Sequence, residues 1–513
     1  MDRAARRRFL IGYGIWLFGA LAYFVPSATW SPVSRLNLTR AVVEQGTFSV
    51  DAFAESTGDR ALRAGHWYCD KAPLPSLIAV PPYAVFYAYN RLRGVKPEFV
   101  AFSTPDTPAQ RVEVNRTFQQ ALYVCSLSTA ALAGTALGLL MFLVLVRSVG
   151  SGIALFASAA TLFGTPLFTY STSFYGHVPA TALIFGAIAA VTAGSKSVAF
   201  ADQLDVRALR GRLRIAGACL ASAVGCEYLS AVPALFIFAY ILWRGRADAL
   251  YMLWQLALGA LLPALVLGTY HWVCFGVPWK TAYSFIERPE FARGHERGFF
   301  GITLPAPQAM FGLTFGSARG LFFIAPVTLL GVALAFTGRM ERDRRDSLWA
   351  MPTLDVRHAL GGAAIALFLV NSSYYMWWGG AAFGPRHLLP VVPLAAYGLA
   401  RACLDREARV LAALLAAVSF ANVLSVTMVG IEAPEQGNVL TEFAWAHLAE
   451  GKVAVLSGSS NLGMRLGLPS LATFGPILVW LLVGGRIVAR ALPKNERDVT
   501  PDPGMGADVS SRA

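Results

Sequence analysis

The chain has 513 residues, of which 56% are hydrophobic and only 14% are charged, and its formal net charge is +13. A soluble protein carries about 25% charged residues, so this composition excludes an ordinary soluble enzyme. The basic residues lie in short clusters between apolar runs. That pattern orients a chain in a membrane and predicts no nucleic-acid partner.

Apolar runs recur along the whole chain, and a run of about 20 residues crosses a hydrocarbon core of about 30 Å. Because a segment in lipid must satisfy its own backbone hydrogen bonds, we predict an all-α, polytopic membrane bundle of about 12 spans. Residues 1–494 form the predicted transmembrane domain. The Pro- and Gly-containing residues 495–513 form a predicted disordered, cytoplasmic tail.

The first apolar run extends from Phe9 to about Thr29 and follows a cluster of arginines, namely Arg3, Arg6, Arg7 and Arg8. It is longer than the apolar core of a signal peptide, so we predict a retained span with a cytoplasmic N-terminus. The polar segment behind it, residues 31–117, is then a large extracytoplasmic first loop.

Within this loop, the apolar run from Leu74 to Tyr89 contains Pro75, Pro81 and Pro82. If it crossed the membrane, the basic cluster from Lys196 to Arg214 would lie outside, against the positive-inside rule. We therefore predict an interfacial or re-entrant helix here. With this choice, both termini of the chain are cytoplasmic.

The apolar run from Leu213 to Trp243 is too short for two ordinary spans, yet the basic residues that follow it also belong on the cytoplasmic side. A short or re-entrant helix pair with its tip near Glu227 meets both demands. Irregular backbone at membrane depth is tolerated only against protein or a wet cavity. We therefore predict that Glu227 faces a cavity.

This topology collects polar residues on the outer face. Two aspartates of the first loop, Asp51 and then Asp70, are the candidates for a general base, which would accept the proton of an acceptor hydroxyl. Cations there could stabilise a departing phosphate. The candidates for binding substrate or donor phosphate are Lys71, Arg319, Arg386, His387, His66, Tyr68, His177 and Glu227.

Structural roles remain open for several of these residues. His177 could be a buried structural histidine, and Arg319 and Arg386 could be interfacial anchors. The six cysteines show no metal-binding spacing, so the sequence identifies no cofactor, although it leaves room for a divalent metal ion. Walker A, HExxH and Gly-x-Ser-x-Gly motifs are absent, so ATP-driven transport and serine hydrolysis have no support.

The segment from Gly65 to Leu74 has the pattern G-x-W-Y-x-D-K-A-P-L, behind a first span and an acidic external loop. This layout resembles the GT-C glycosyltransferases, which include protein O-mannosyltransferases and bacterial aminoarabinose transferases with a similar K-P-P-L segment. Three later segments resemble uncharacterised bacterial members: Gly316 to Pro326, Trp377 to Pro390, and Asn461 to Pro469.

One departure from the family concerns the base. Well-known members carry an Asp-Glu pair directly after the first span, where this chain has about Ser31-Pro32. The family's usual base therefore cannot be carried over. Asp51 or Asp70 must replace it, or the chain is not catalytic in that way.

The resemblance implies a mannosyltransferase-like hexosyl- or pentosyltransferase of a bacterial plasma membrane. Its partners would be membrane lipid, a polyprenyl-phosphate sugar donor, and an acceptor glycan, lipid or protein on the extracytoplasmic side. The alternatives are a transporter or flippase for a lipid-linked or small polar solute, and a non-catalytic assembly protein. A transporter keeps ionisable groups near the bilayer midplane, so the outward bias of the acidic residues favours the enzyme.

Overall fold

The computed structural model describes residues 3–95, 115–192, 209–337 and 355–492. Regular structure in these ranges is almost entirely helical, which confirms the predicted all-α class. The predicted tail at 495–513 lies outside the described residues. So do Lys196 and Arg207, two residues of the basic cluster on which the predicted orientation of the spans depends.

The first predicted apolar run corresponds to the helix Arg3–Ala22, and the run from Leu213 to Trp243 corresponds to the helices Arg210–Cys226 and Ala231–Arg244. The helices up to the second third of the chain are Arg3–Ala22, Trp30–Arg40, Leu74–Ile78, Val80–Leu92, Arg116–Ser126, Leu132–Leu145, Ser151–Phe163, Leu167–Ser171, His177–Thr192, Arg210–Cys226, Ala231–Arg244, Ala249–Phe275, Pro289–His295, Pro307–Thr314, Leu321–Ile324 and Val327–Ala335. The remaining helices are Val356–Ser372, Leu394–Ala402, Arg406–Val429, Trp445–Ala449, Leu462–Arg465, Phe474–Val479 and Gly485–Arg490. Tighter or wider helical turns extend or link them at Ala41–Gln45, Asp51–Ser56, Leu127–Ala131, Tyr228–Ser230, Arg246–Asp248, Ala282–Phe285, Arg386–Val391, Val439–Ala444, Ser470–Thr473 and Trp480–Gly484.

Among the described residues, four continuous helical stretches are long and apolar enough to cross a membrane: Arg116–Leu145, Arg246–Phe275, Arg406–Val429 and Ser470–Arg490. Shorter apolar helices occur at Ser151–Phe163, His177–Thr192, Tyr228–Arg244 and Val356–Ser372. The segment at 74–89 is divided between the helices Leu74–Ile78 and Val80–Leu92, and its location at the interface stays a prediction. The chain is a helical membrane protein.

Small residues allow the helices to approach closely. A Cβ added at Gly217 would meet the backbone carbonyl of Leu256, and one at Gly259 would meet that of Arg214. These two glycines join the helices Arg210–Cys226 and Ala249–Phe275. Such close backbone approach is typical of helix pairs in membranes, where packing, and not apolar burial, drives association.

The first loop is more ordered than a solvated insert would be. Its helix Trp30–Arg40 is almost wholly buried. Behind it, the strands Arg60–Arg63 and His66–Cys69 form an antiparallel hairpin. The turn residues Ala64 and Gly65 both have positive φ, as the common two-residue hairpin turn requires.

Two features of the backbone shape the site. A second short strand pair, Phe24–Val25 with Ser460–Asn461, ties the end of the first helix to a late loop. The predicted break at Glu227 is present, because the helix Arg210–Cys226 ends there and Glu227 is extended (φ −156°, ψ 116°) before the chain turns into Ala231–Arg244.

Candidate active site

A cavity of about 660 Å³ lies between the first loop, the helix break at Glu227 and the turns that follow two later helices. Its charged lining comes from distant parts of the sequence: Asp59, Asp70, Lys71, Glu227, Arg386, Glu432 and Glu435. Pockets that bind small molecules are concave and carry a few convergent polar groups, and this cavity meets that description. It is therefore the candidate active site.

Lys71 joins two carboxylates at one side of the cavity. Its Nζ atom lies 2.8 Å from Asp70 Oδ2 and 2.9 Å from Asp59 Oδ2. Burial works to lower the pKa of Lys71, but Asp59 and Asp70 outweigh it and raise that pKa above its usual range. The ammonium stays charged, and a lysine ammonium has three N–H donors, so one remains for a ligand.

Asp70 is the less exposed of the two acids that contact Lys71. It also accepts a hydrogen bond of 3.3 Å from Ser34 Oγ. Burial raises the pKa of Asp70; Lys71 opposes this increase, and Asp59 adds to it. A carboxylate with a raised pKa is a stronger base than an ordinary one.

Arg386 reaches the cavity from a glycine-rich turn. Gly379, Gly380 and Gly384 all have positive φ, a conformation that other residues adopt at a cost. Within the described ranges, the Nε atom of Arg386 is buried and has no hydrogen-bond partner. The guanidinium lies 6.0 Å from the centre of the Tyr175 ring. It is held in place by packing and remains available to an anion.

The wall beside Arg386 contains Glu227 and two histidines. His177 Nδ1 lies 3.3 Å from Glu227 Oε2, and the His177 and His387 rings meet edge to face at 5.4 Å. Arg35, which is almost fully buried, places its Nη2 atom 4.0 Å from the same Glu227 oxygen. Glu227 and His387 thus line one corner of the cavity, and His177 lies behind them against Glu227.

Arg35 was not among the predicted site residues. Its Nη1 atom donates to the backbone carbonyl and the hydroxyl of Ser31, which fixes the guanidinium toward the cavity. The sequence around it contains many polar residues, a composition that predicts a solvated segment. Only the burial of the helix Trp30–Arg40 shows that this arginine points inward.

The opposite wall was also missed. The ring nitrogens of His295 form hydrogen bonds with the hydroxyls of Tyr374 (3.1 Å) and Tyr375 (3.2 Å). Elsewhere in the cavity lining, burial raises the pKa of Glu432 to about 7; Thr29 and Arg386 oppose the increase, and Asp59 adds to it. The sequence signal was the run Ile431 to Gly437, which has two glutamates and a proline directly after an apolar span.

Two predicted residues of the hairpin, Asp51 and His66, lie outside the cavity lining. Asp51 accepts hydrogen bonds from the Trp67 backbone N–H (2.6 Å) and from His66 Nδ1 (2.7 Å). Their side chains are 43% and 59% exposed. The structure thus gives Asp51 a role in the hairpin turn, and it does not support Asp51 as the first choice of base.

Tyr68 and Arg319 are likewise engaged by the protein itself. The Tyr68 ring packs against Phe275, in a separate small core under the hairpin. Arg319 is 1% exposed. Its guanidinium donates hydrogen bonds to four backbone carbonyls, those of Trp378, Gly380, Ala433 and Ala318. Neither side chain lines the cavity, so the prediction that Arg319, Arg386 and Lys71 share it is corrected for Arg319.

No family model matches the sequence, and no curated protein matches it. Among solved structures, the chain is similar to ArnT from Cupriavidus metallidurans in the apo state, with 16% identity and a TM-score of 0.51. That alignment covers 94% of this chain and 74% of the ArnT chain. A structure of the same protein bound to undecaprenyl phosphate aligns at 17% identity and a TM-score of 0.46, covering 96% and 76% of the two chains.

Fold and site together define a polytopic helical membrane protein with a cavity into which several charged side chains point. The likeness over most of the chain shows that this protein shares the fold of ArnT, which is a GT-C aminoarabinose transferase. The resemblance stated for Gly65 to Leu74 is confirmed at the level of the fold. One fold can support many activities, so the side chains of the cavity determine the chemistry.

Proposed function

We propose that the protein is a glycosyltransferase that moves a sugar from a polyprenyl-phosphate donor to an acceptor hydroxyl in this cavity. The observation that carries the proposal is the joint presence of Lys71, Arg386 and Asp70 in the lining of one cavity in a GT-C fold. Two cations suit a phosphate, and a buried carboxylate beside them suits an acceptor hydroxyl.

Asp70 is the proposed base, and Asp59 helps to hold Lys71. In the transfer step, the acceptor hydroxyl gives its proton to Asp70 while its oxygen forms a bond to the sugar carbon. The bond between that carbon and the donor phosphate breaks, and its electron pair leaves with the polyprenyl phosphate. Negative charge therefore grows on the phosphate, where Arg386 and the free donor of Lys71 stabilise it.

The side of the membrane is part of the proposal. Clusters of basic residues between the spans favour cytoplasmic termini and an extracytoplasmic cavity. The first loop, which supplies Asp59, Asp70 and Lys71, would then project outward. A hexose or a pentose would both suit a cavity of about 660 Å³.

The test is transfer by the purified full chain in liposomes, supplied with polyprenyl phosphate carrying a radiolabelled hexose or pentose and with a bacterial envelope extract as acceptor. We expect acceptor-dependent release of polyprenyl phosphate, lost in Lys71→Ala and kept in His66→Ala, whose side chain is exposed on the hairpin. Movement of the labelled lipid between leaflets with no release would instead support the transporter or flippase alternative.

A further inference from the structure

Three side chains from separate segments converge in one corner of the cavity wall. His177 is the first residue of the helix His177–Thr192, Glu227 lies at the helix break, and His387 follows Arg386. One donor atom from each lies within 4.8 Å of the other two. His177 and Glu227 are buried, and His387 is half-buried.

Hydrogen bonding does not account for this cluster. His177 Nδ1 is 3.3 Å from Glu227 Oε2, but the geometry is not that of a hydrogen bond. Within the described residues, the Nδ1 atoms of both His177 and His387 are buried and have no hydrogen-bond partner. Buried polar atoms in native proteins are nearly always satisfied, so two unpartnered imidazole nitrogens in a cluster with one carboxylate point to a missing common partner.

We propose that His177, Glu227 and His387 bind one divalent transition-metal ion of the zinc class. Two imidazole nitrogens and one carboxylate oxygen are a donor set that suits zinc, manganese, iron or cobalt in preference to calcium or magnesium. Three protein ligands leave at least one coordination position open. Since Glu227 and His387 line the cavity, that position faces the cavity.

The charges around this cluster are of both signs. The cavity lining has five carboxylates, those of Asp59, Asp70, Glu227, Glu432 and Glu435, against the cations Lys71 and Arg386. Arg35 beside Glu227 adds one more positive charge and fixes the carboxylate from behind. Acidic groups remain in excess, and a bound divalent ion would offset that excess.

A metal ion at this site would also affect how the cavity binds a phosphate-containing ligand. A metal ion beside Arg386 would add positive charge next to a bound phosphate and offer a Lewis acid to one of its oxygens. This last step rests on the proposed function. Binding of the ion itself does not.

The experiment measures metal on the full chain in detergent, after incubation with Zn²⁺ and gel filtration. We expect about one ion per wild-type chain, and a loss of affinity of at least about 10²-fold in His177→Ala, Glu227→Gln and His387→Ala, since even outer-shell changes cost about 10–100-fold. His295→Ala is the matched control, because His295 lines the same cavity but is hydrogen-bonded to two tyrosines. It should keep the ion.

A second measurement needs no variant. Co²⁺ added to the metal-free wild type should give visible ligand-field absorption, and Zn²⁺ should remove it. No retained metal, no cobalt absorption, or retention unchanged in the His177 and Glu227 variants would each overturn the site. Metal binding without sugar transfer would reject only the proposed function, whereas sugar transfer without metal binding would reject only the metal site.

Discussion

Arg319 and Arg386 occupy similar places in the sequence and very different places in the fold. Each follows a glycine-containing turn and precedes an apolar helical segment. The Arg319 guanidinium donates hydrogen bonds to the backbone carbonyls of Trp378, Gly380 and Ala433. The Arg386 guanidinium has no such partner among the described residues and lines the cavity. Arg319 therefore stabilises the turns around the cavity, whereas Arg386 can bind a ligand inside it.

Asp51 and Asp70 show the same division. Asp51 is satisfied by its own hairpin, through a backbone N–H and a neighbouring imidazole. Asp70 shares Lys71 with Asp59 and faces the cavity. In these two pairs, Arg319 and Asp51 bind groups of the protein outside the cavity, whereas Arg386 and Asp70 line the cavity.

The largest expected effect separates the two aspartates. Asp70→Asn removes the proposed base but keeps a side chain of the same shape, so the rate of sugar transfer should fall by about 10²–10⁴-fold. Asp51→Asn should change the rate by less than about twofold, since an exposed substitution costs within about 0.5 kcal/mol. Single-turnover release of polyprenyl phosphate measures both.

Donor binding provides the control for this pair. Lys71 keeps its contact with Asp59 in the Asp70→Asn variant, so the variant should still bind the lipid donor. If Asp51→Asn abolishes transfer and Asp70→Asn does not, the base lies in the hairpin and the assignment made from the cavity is wrong.

The next effect separates the two arginines. Arg386→Ala should lower kcat by about 10²–10³-fold, as loss of a donor to a developing negative charge does elsewhere. Arg386→Lys should recover little, because an ammonium cannot reproduce the planar fork of arginine. Steady-state transfer kinetics give the comparison.

Arg319→Ala should act on stability instead. It leaves buried carbonyls without a donor, at a cost of about 1–3 kcal/mol for each such group. We therefore expect a lower Tm for Arg319→Ala and a nearly unchanged Tm for Arg386→Ala. Equal Tm values with a large kcat loss in Arg319→Ala would place that residue in the binding site after all.

The sequence predicted the helical membrane class, the break at Glu227 and several cavity residues, because hydropathy and basic clusters report directly on which segments lie in lipid. It could not separate Arg319 from Arg386, since the partners of Arg319 are backbone carbonyls about 60 residues and more away. It also missed Arg35, whose helix has a polar composition but a buried location. The local sequence around a polar residue does not show whether its side chain will be hydrogen-bonded by distant parts of the folded chain.

A smaller effect concerns pH and contrasts Glu432 with Asp51. Burial raises the pKa of Glu432 to about 7, so the folded chain holds this proton more tightly than the unfolded chain does. The resulting stability is complete below the ordinary glutamate pKa of about 4.3 and is lost as the pH rises through about 7. Glu432→Gln carries no charge at any pH, so its Tm should fall less than that of the wild type between about pH 5 and about pH 8.

Asp51 should behave in the opposite way. Burial works to raise its pKa, but hydrogen bonds from Ser49, Trp67 and His66 outweigh it and lower the pKa. Its contribution to stability is present above the ordinary aspartate pKa of about 3.9 and is lost only as the pH falls below it. Asp51→Asn should therefore run parallel to the wild type over the same pH range. A flattened Tm curve in Asp51→Asn would contradict this.

The smallest effect uses two neighbouring glycines to isolate the position of Arg386. Gly379 and Gly380 have φ of +75° and +73°, so alanine should strain the backbone similarly at both, by about 1–2 kcal/mol. A Cβ at Gly379 would lie 3.1 Å from Arg386 Nε, whereas one at Gly380 would meet no heavy atom within 4 Å. Both variants should lose similar amounts of Tm. Only Gly379→Ala should also lose transfer, by about 3–10-fold, which corresponds to about 1 kcal/mol in the barrier. If both variants lose transfer equally, the turn acts through its backbone, and the free guanidinium of Arg386 is not the group that the cavity depends on.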